Sequence, residues 1–446
     1  MIDSPLALII AVAHVVLATV VSAHIVLTKS DVRSALGWVA LVWLSPVVGS
    51  ASYAVLGINR IRRRARGERA LARRSMPELP RITREDELSM AIPDGVPEQW
   101  RSLATLVGRV SGLPLTDGNA VTPLVNGDAA YPAMIAAIDG AERSVGFSTY
   151  IMDRGVAADG FVQAFARAVR RGVAVRVLID DVGARYSRPS IVESLRAGGI
   201  RVARFLPSII PIPSRTINLR NHRKLLVVDG TVGFCGGMNI RDGCLLANDP
   251  PNATQDVHFE LRGAVVGQLV RAFAFDWNFT TGEALYEEAW TAPAERVGTV
   301  AARGIPDGPD EDFEALDMTL LGAVSQATRS VQLVTPYFLP DPPLLDALRV
   351  AALRGVEVDI VLPEKGNLPT VQWASMPQLP QLIARGCRVY FSAPPFDHSK
   401  LLVVDGAWSM IGSANWDPRS LRLNFEYNVE CYCTDLAGQL GAIVDA

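Results

Sequence analysis

Nine residues of this chain occur twice in nearly the same form. His222-Arg223-Lys224-Leu225-Leu226-Val227-Val228-Asp229-Gly230 is followed, at an offset of 176, by His398-Ser399-Lys400-Leu401-Leu402-Val403-Val404-Asp405-Gly406. Asn239, in Gly236-Gly237-Met238-Asn239, is matched at the same offset by Asn415, in Gly412-Ser413-Ala414-Asn415. The echo extends upstream. Arg143-Ser144-Val145 and Arg329-Ser330-Val331 lie 186 apart, and Gly172-Val173 and Gly355-Val356 lie 183 apart. A repeat of this length means a duplicated domain rather than a solenoid of short units.

Each copy reads as strand, helix, strand. In the first copy, residues 143–150 form a strand, 161–171 a helix and 175–179 an apolar strand. In the second, the same elements fall at 329–337, 344–354 and 358–362. This alternation predicts parallel pairing in an α/β fold. Leu-Leu-Val-Val continues each motif as a buried strand, and Asp-Gly makes the turn after it. In extended chain, His and Lys at i and i+2 share one face, while Arg223 and Ser399 take the other.

Composition sharpens the motif. Lys occurs only at Lys29, Lys224, Lys365 and Lys400, against 39 Arg, and His only at His14, His24, His222, His258 and His398. Two of the four Lys and two of the five His therefore fall at equivalent positions. A solvated edge strand would not concentrate such rare residues twice. Lys365 has no counterpart and reads as a solvated loop residue. The five Cys are odd in number and lack CxxC spacing, which argues against a disulfide framework or a zinc site. They read as small core residues in a reducing compartment. The net charge of −3 disfavours a globally basic nucleic-acid binder.

Residues 5–28 and 34–59 carry no charge, and only Lys29, Ser30, Asp31, Val32 and Arg33 separate them. Each run is long enough for a membrane-crossing helix, so the pair reads as a tight hairpin. Only four residues precede the first run, without the basic region of a cleaved signal peptide. Eight Arg follow between Arg60 and Arg74, with Glu68 as the one acid among them. They predict that both ends of the hairpin, and all that follows, face the cytoplasm next to anionic lipid. Removing this local +7 leaves about −10 for the rest of the chain. His14 and His24 sit about 80° apart on the first helix, so they read as packing or interfacial residues and not as a pair.

The paired HxKxxxxD motifs, each followed by a small-Gly-x-Asn segment, resemble the phospholipase D superfamily. Asn221, the Asn239-to-Asp242 stretch, the N-terminal hairpin and Thr335-Pro336-Tyr337-Phe338-Leu339-Pro340-Asp341 are similar to bacterial cardiolipin synthases. The resemblance covers nearly the whole chain. It implies two tandem phospholipase D-like domains, each a β-sheet flanked by helices, related by a pseudo-twofold and preceded by a transmembrane helical hairpin. The expected organisation is a hairpin over 1–59, a basic segment and linker over 60–100, and domains over 101–300 and 301–446.

The implied activity joins two phosphatidylglycerol molecules into cardiolipin and glycerol through a phosphohistidine, in the bacterial inner membrane. A hydrolase releasing phosphatidic acid, or transfer to another alcohol or phospholipid, would use the same residues. The implied catalytic set is His222, Lys224, Asp229, His398, Lys400 and Asp405. His222 is assigned as nucleophile and His398 as general acid and base, an order that near-identical motifs leave reversible. Asp229 and Asp405 are expected to support loops. Asn239 and Asn415 would join the two Lys at the phosphate. Asp256 and Glu426 are the candidates to orient the imidazoles. His258, two residues beyond Asp256, either lines the cleft or is structural. Tyr150 and Tyr337 border the lipid channel or are core aromatics. No metal or other cofactor is expected.

Two departures from that family stand out. Ala253-Thr254-Gln255-Asp256 lacks the Trp-Arg that often precedes the first acid. Relatives usually continue into a further helix after the second motif, and this region is expected to be reduced or missing.

Overall fold

The computed structural model describes residues 5–29, 32–54, 91–207, 219–285, 288–291, 295–309 and 314–445. The Arg cluster of residues 60–74 and the Pro-rich start of the linker lie outside them. The chain divides into two compact units, residues 1–64 and 65–446.

In the N-terminal unit, α1 (Pro5–Thr28) is a 24-residue helix, about 36 Å long at 1.5 Å per residue. Among the described residues it is the one helix both long and apolar enough to cross a membrane, over Ala11–Thr28. The second apolar run is divided into α2 (Val32–Leu44) and α3 (Pro46–Ser52). Pro46 has no N–H to continue the ladder, and Ser45 leaves the helical region at φ −148°, ψ 81°. The three helices meet around Ala18, Ile25, Val42 and Tyr53. His24 lies in that contact, its Nδ1 3.0 Å from the Tyr53 hydroxyl, and the Trp43 indole donates to Ser22 Oγ at 3.1 Å. His14 is exposed.

The larger unit is built on one 15-stranded mixed sheet. In chain order its strands are β1 (Thr116–Val125), β2 (Ser144–Thr149), β3 (Ala174–Asp180), β4 (Arg201–Phe205), β5 (Arg220–Asn221), β6 (Leu225–Val228), β7 (Val232–Gly236) and β9 (Val257–Arg262). They continue as β10 (Val300–Asp307), β11 (Ser330–Val334), β12 (Glu357–Pro363), β13 (Arg388–Ser392), β15 (Leu401–Val404), β16 (Trp408–Gly412) and β17 (Asn424–Tyr432). Two further short strands, β8 (Thr254–Gln255) and β14 (Phe396–Asp397), pair with each other.

Across the sheet the order is β4-β3-β2-β6-β7-β9-β1, then β10-β17-β16-β15-β11-β12-β13. Read inward from either edge, corresponding strands follow in the same sequence. The parallel pairs are those the repeats predict. β2 runs parallel to β3 and β11 parallel to β12, connected through α6 (Val156–Arg170) and α10 (Pro342–Leu353). The repeated Arg-Gly-Val explains where these helices stop. Gly172 and Gly355 take φ of 91° and 88°, a left-handed conformation that glycine adopts without a Cβ penalty.

The two ends of the sheet carry separate cores. α4 (Arg101–Ser111), α9 (Ala315–Gln326) and α10 bury Leu103, Leu320 and Leu348 with Val331 and Trp408. α5 (Asn126–Asp139) and α6 bury Tyr131, Phe161 and Phe165 against Phe147, each large side chain worth about 1.5–3 kcal/mol. α8 (Val265–Thr281) follows β9 and buries most of its length, including Phe273 and Trp277. All five Cys are free and four are buried. Cys431 lies on β17 and Cys433 just past its end. A helix, Thr434–Asp445, follows the second motif.

Candidate active site

The two motifs meet near the middle of the sheet, and each is anchored on the other repeat. Residues 222–224 and 398–400 run as irregular chain just before β6 and β15. β5 pairs in parallel with the start of β17, and the His222 N–H donates to the Phe425 carbonyl at 2.9 Å. β14 pairs in parallel with β8, and the His398 N–H donates to the Gln255 carbonyl at 2.8 Å.

The side chains cross in the same way. His222 Nδ1 lies 2.9 and 3.0 Å from the two carboxylate oxygens of Glu426. His398 Nδ1 lies 2.8 Å from Asp256 Oδ2. Each acid was expected downstream of its own motif, and the structure gives it to the imidazole of the other repeat. Both contacts use Nδ1, which leaves Nε2 of each ring as the nitrogen available for chemistry.

The second member of each motif closes over its own backbone. Lys224 Nζ donates to the His222 carbonyl at 2.7 Å, and Lys400 Nζ to the His398 carbonyl. His222, Lys224 and Lys400 are buried and His398 is nearly so, and this sets their proton affinities. Desolvation lowers Lys224 to about 7 and Lys400 to about 8. It also lowers both imidazoles, His398 the further, with the nearby lysines adding to the effect. The resting rings are therefore neutral near pH 7.

The two supporting acids differ. Burial pushes Asp256 up to about 6. Burial acts on Glu426 in the same direction but is outweighed by His222, so its carboxyl stays below the usual range. Its neighbours fit this difference. Glu426 accepts from Ser413 Oγ at 2.5 Å and Asn424 Nδ2 at 3.1 Å. At the position matching Ser413 the first repeat has Gly237, where even a Cβ would lie 2.8 Å from Asp256 Oδ1.

Asp229 and Asp405 do not face the imidazoles. Both sit at positive φ, 52° and 53°, at the head of the Asp-Gly turn. Asp229 accepts the N–H groups of Glu142, Arg143 and Ser144 at 2.7–2.9 Å. Asp405 accepts those of Thr328, Arg329 and Ser330, and the Thr328 hydroxyl at 2.7 Å. They fasten the chain entering β2 and β11, the loop-supporting role expected of them.

The two asparagines are also held by the fold. Asn239 Oδ1 accepts from the Ile151 N–H at 3.1 Å. Asn415 Nδ2 donates to Ser420 Oγ at 3.2 Å, while its Oδ1 is buried without a hydrogen-bond partner.

The structure also places the residues left open by the sequence, and adds two that it did not single out, Asp276 and Asn428. Tyr150 stands edge-on to His222, with ring centres 5.0 Å apart, and Tyr337 edge-on to His398 at 6.4 Å. Their equivalent placement after β2 and β11 was the available signal. Arg223, between His222 and Lys224, turns away and is bound by Asp276 on α8 at 2.9 and 3.0 Å, both side chains fully buried. His258 is buried behind Gly236, and neither ring nitrogen has a hydrogen-bond partner. Asn428 holds the matching position behind Gly412, and its Oδ1 accepts from the Ala414 N–H at 3.2 Å. Lys365 is exposed, as expected.

A family model described as cardiolipin synthase, PLD-like domain, matches residues 134–274 and 320–446. The chain belongs to this cardiolipin synthase family. The cardiolipin synthase of Geobacillus kaustophilus is 34% identical over 407 residues, covering 90% of this chain and 80% of that one. Cardiolipin synthase 2 of Bacillus cereus is 33% identical over 404 residues, covering 90% and 78%. Among solved structures, the phosphatidylserine synthase of Haemophilus influenzae superposes with a TM-score of 0.59 over 76% of this chain and 89% of that one. At 14% identity this is a likeness of fold.

Proposed function

We propose that the chain is a membrane-anchored cardiolipin synthase, a phosphatidyltransferase that takes phosphatidylglycerol as both donor and acceptor. The crossed pairing of two neutral imidazoles with two buried acids, beside two lysines, carries this reading. An anionic phosphodiester entering between Lys224 and Lys400 restores their full charge, and they offset the charge that builds on the nonbridging oxygens.

His222 is the nucleophile. Its Nε2 attacks phosphorus, the P–N bond forms and the bond to the leaving glycerol oxygen breaks. The phosphorylated ring is cationic at Nδ1–H, against the ionised Glu426. The His398–Asp256 pair enters this step with two protons, one on His398 Nε2 and one held by Asp256 against Nδ1. The Nε2 proton passes to the leaving oxygen as the Asp256 proton moves onto Nδ1, leaving a neutral imidazole and a carboxylate. In the second displacement a headgroup hydroxyl of another phosphatidylglycerol attacks the phosphohistidine. His398 takes its proton, the P–O bond forms, and His222 leaves.

The wider organisation follows. Residues 101–300 and 301–446 are two tandem phospholipase D-like domains related by a pseudo-twofold, a reading supported by the mirrored strand order. The segment 1–59 crosses the membrane twice, the second time as the kinked pair α2 and α3. Both ends then face the cytoplasm, consistent with the Arg-rich sequence that follows.

Purified protein given phosphatidylglycerol alone should release glycerol and form cardiolipin. His222→Ala and His398→Ala should each abolish this without loss of fold. Full activity in either variant rejects the assignment. Phosphatidic acid as sole product identifies a hydrolase.

A further inference from the structure

Beside His398, one face of the larger unit exposes large apolar side chains. Tyr337, which meets the His398 ring, also lines a shallow, open groove together with Leu368, Met376 and Phe391. These last three are 47–48% exposed. Trp373, on α11 (Pro369–Ser375) and three residues before Met376, is 71% exposed. Residues three apart on a helix share a face, so Trp373 stands at the groove's edge.

The charge pattern of this segment is unlike the rest of the chain. From Lys365 to Phe396 there is no Asp or Glu, in a body carrying about −10. Arg388 is engaged by Glu357 and Asp359, while Lys365 and Arg385 are exposed. The core of a protein–protein contact is depleted in Lys. Exposed Trp and aliphatic residues flanked by the exposed Lys365 and Arg385, on a segment without acids of its own, match the headgroup region of an anionic bilayer instead.

We propose that this face is a second bilayer contact, additional to the N-terminal helices. Trp373 and its neighbours enter the boundary between headgroups and acyl chains of an anionic membrane, and the groove opens there. A phospholipid then reaches His398 without drawing its chains through water. This rests on the site acting on phospholipid.

The test uses the full chain in vesicles of phosphatidylglycerol. Trp373→Cys, in a Cys433→Ser background, carries a polarity-sensitive fluorophore. Glu193→Cys, on an exposed position of helix Ile191–Ala197, serves as control. The label at 373 should shift to the blue and be quenched by brominated acyl chains, while the label at 193 should do neither. An unshifted label at 373 overturns the proposal. A blue shift without bromolipid quenching also overturns it, in favour of a protein partner. This readout is independent of turnover, so quenching without cardiolipin formation would reject the enzymatic reading and leave the contact standing. In the kinetic arm, Trp373→Ser should raise KM for phosphatidylglycerol in vesicles about tenfold. Turnover of monomeric short-chain phosphatidylglycerol should be unchanged. An equal loss on both substrates overturns the proposal.

Discussion

Replacing Glu426 by Gln isolates the contribution of one charge. The variant keeps the shape and an oxygen for His222 Nδ1, now 2.9–3.0 Å from a carboxylate. It loses the negative charge facing the ring and one of the two acceptor oxygens. At that separation and an effective dielectric of about 20, the Coulomb energy of a full ion pair is about 5.6 kcal/mol, an upper bound. Ser413 and Asn424 donate to different carboxylate oxygens, so only one of them keeps its acceptor in the amide, and solvent reorganisation returns part of the rest. The relevant figure is the gain of a charged hydrogen bond, about 1.5–3 kcal/mol. That corresponds to a loss in the rate of phosphohistidine formation of about 10- to 150-fold. Rapid-quench single turnovers, with the adduct located by mass spectrometry, measure it directly. Asp256→Asn should lose activity by a different route, by weakening proton delivery through His398. A phosphatidyl ester of p-nitrophenol, whose leaving group needs no proton, should rescue Asp256→Asn and not Glu426→Gln. Adduct formation within about threefold of wild type in Glu426→Gln refutes the reasoning. Rescue in the opposite variant reverses the histidine roles.

Asp405→Ala strips the acceptor from three N–H groups and a hydroxyl, and should cost about 3 kcal/mol of stability, read as a lowered denaturation midpoint, with turnover surviving at low temperature. Arg223→Leu removes the guanidinium that faces the buried Asp276 carboxylate and should cost about 3–5 kcal/mol, most of it recovered in the Arg223→Met/Asp276→Leu double variant. The lysines predict a pH dependence. Lys224 and Lys400 titrate at about 7 and 8 in the fold and near 10.4 when unfolded. Between those values the unfolded chain binds more protons, so stability of the empty protein should rise with pH over that window. Lys224→Met and Lys400→Met should each flatten the rise in thermal melts.

The sequence exposed what is periodic or rare. Duplication, parallel strand pairs and the four motif residues could be read because strand patterning is local and because His and Lys are scarce here. The Asp-Gly turns were equally local. The crossing of the repeats was not visible, since it depends on contacts between residues 142 and 204 positions apart and the offset alone cannot say which acid faces which ring. Whether Tyr150 and Tyr337 border the lipid channel or fill the core stayed open for the same reason. The division of the second apolar run was in view at Pro46, yet hydropathy over the whole run outweighed one residue. Without Trp-Arg before it, Asp256 meets His398, and the β8–β14 pairing holds the backbone just ahead of both residues.

Because each imidazole takes its acid and its backbone anchor from the opposite repeat, reactivity is a property of the completed chain. A nascent or proteolytically nicked molecule holding only one repeat has a histidine without its carboxylate and a lysine without its counterpart. It therefore has no means of cleaving the membrane lipids around it. The exchange of partners thus acts as a safeguard, withholding phosphodiester chemistry until the last strand, β17, has taken its place.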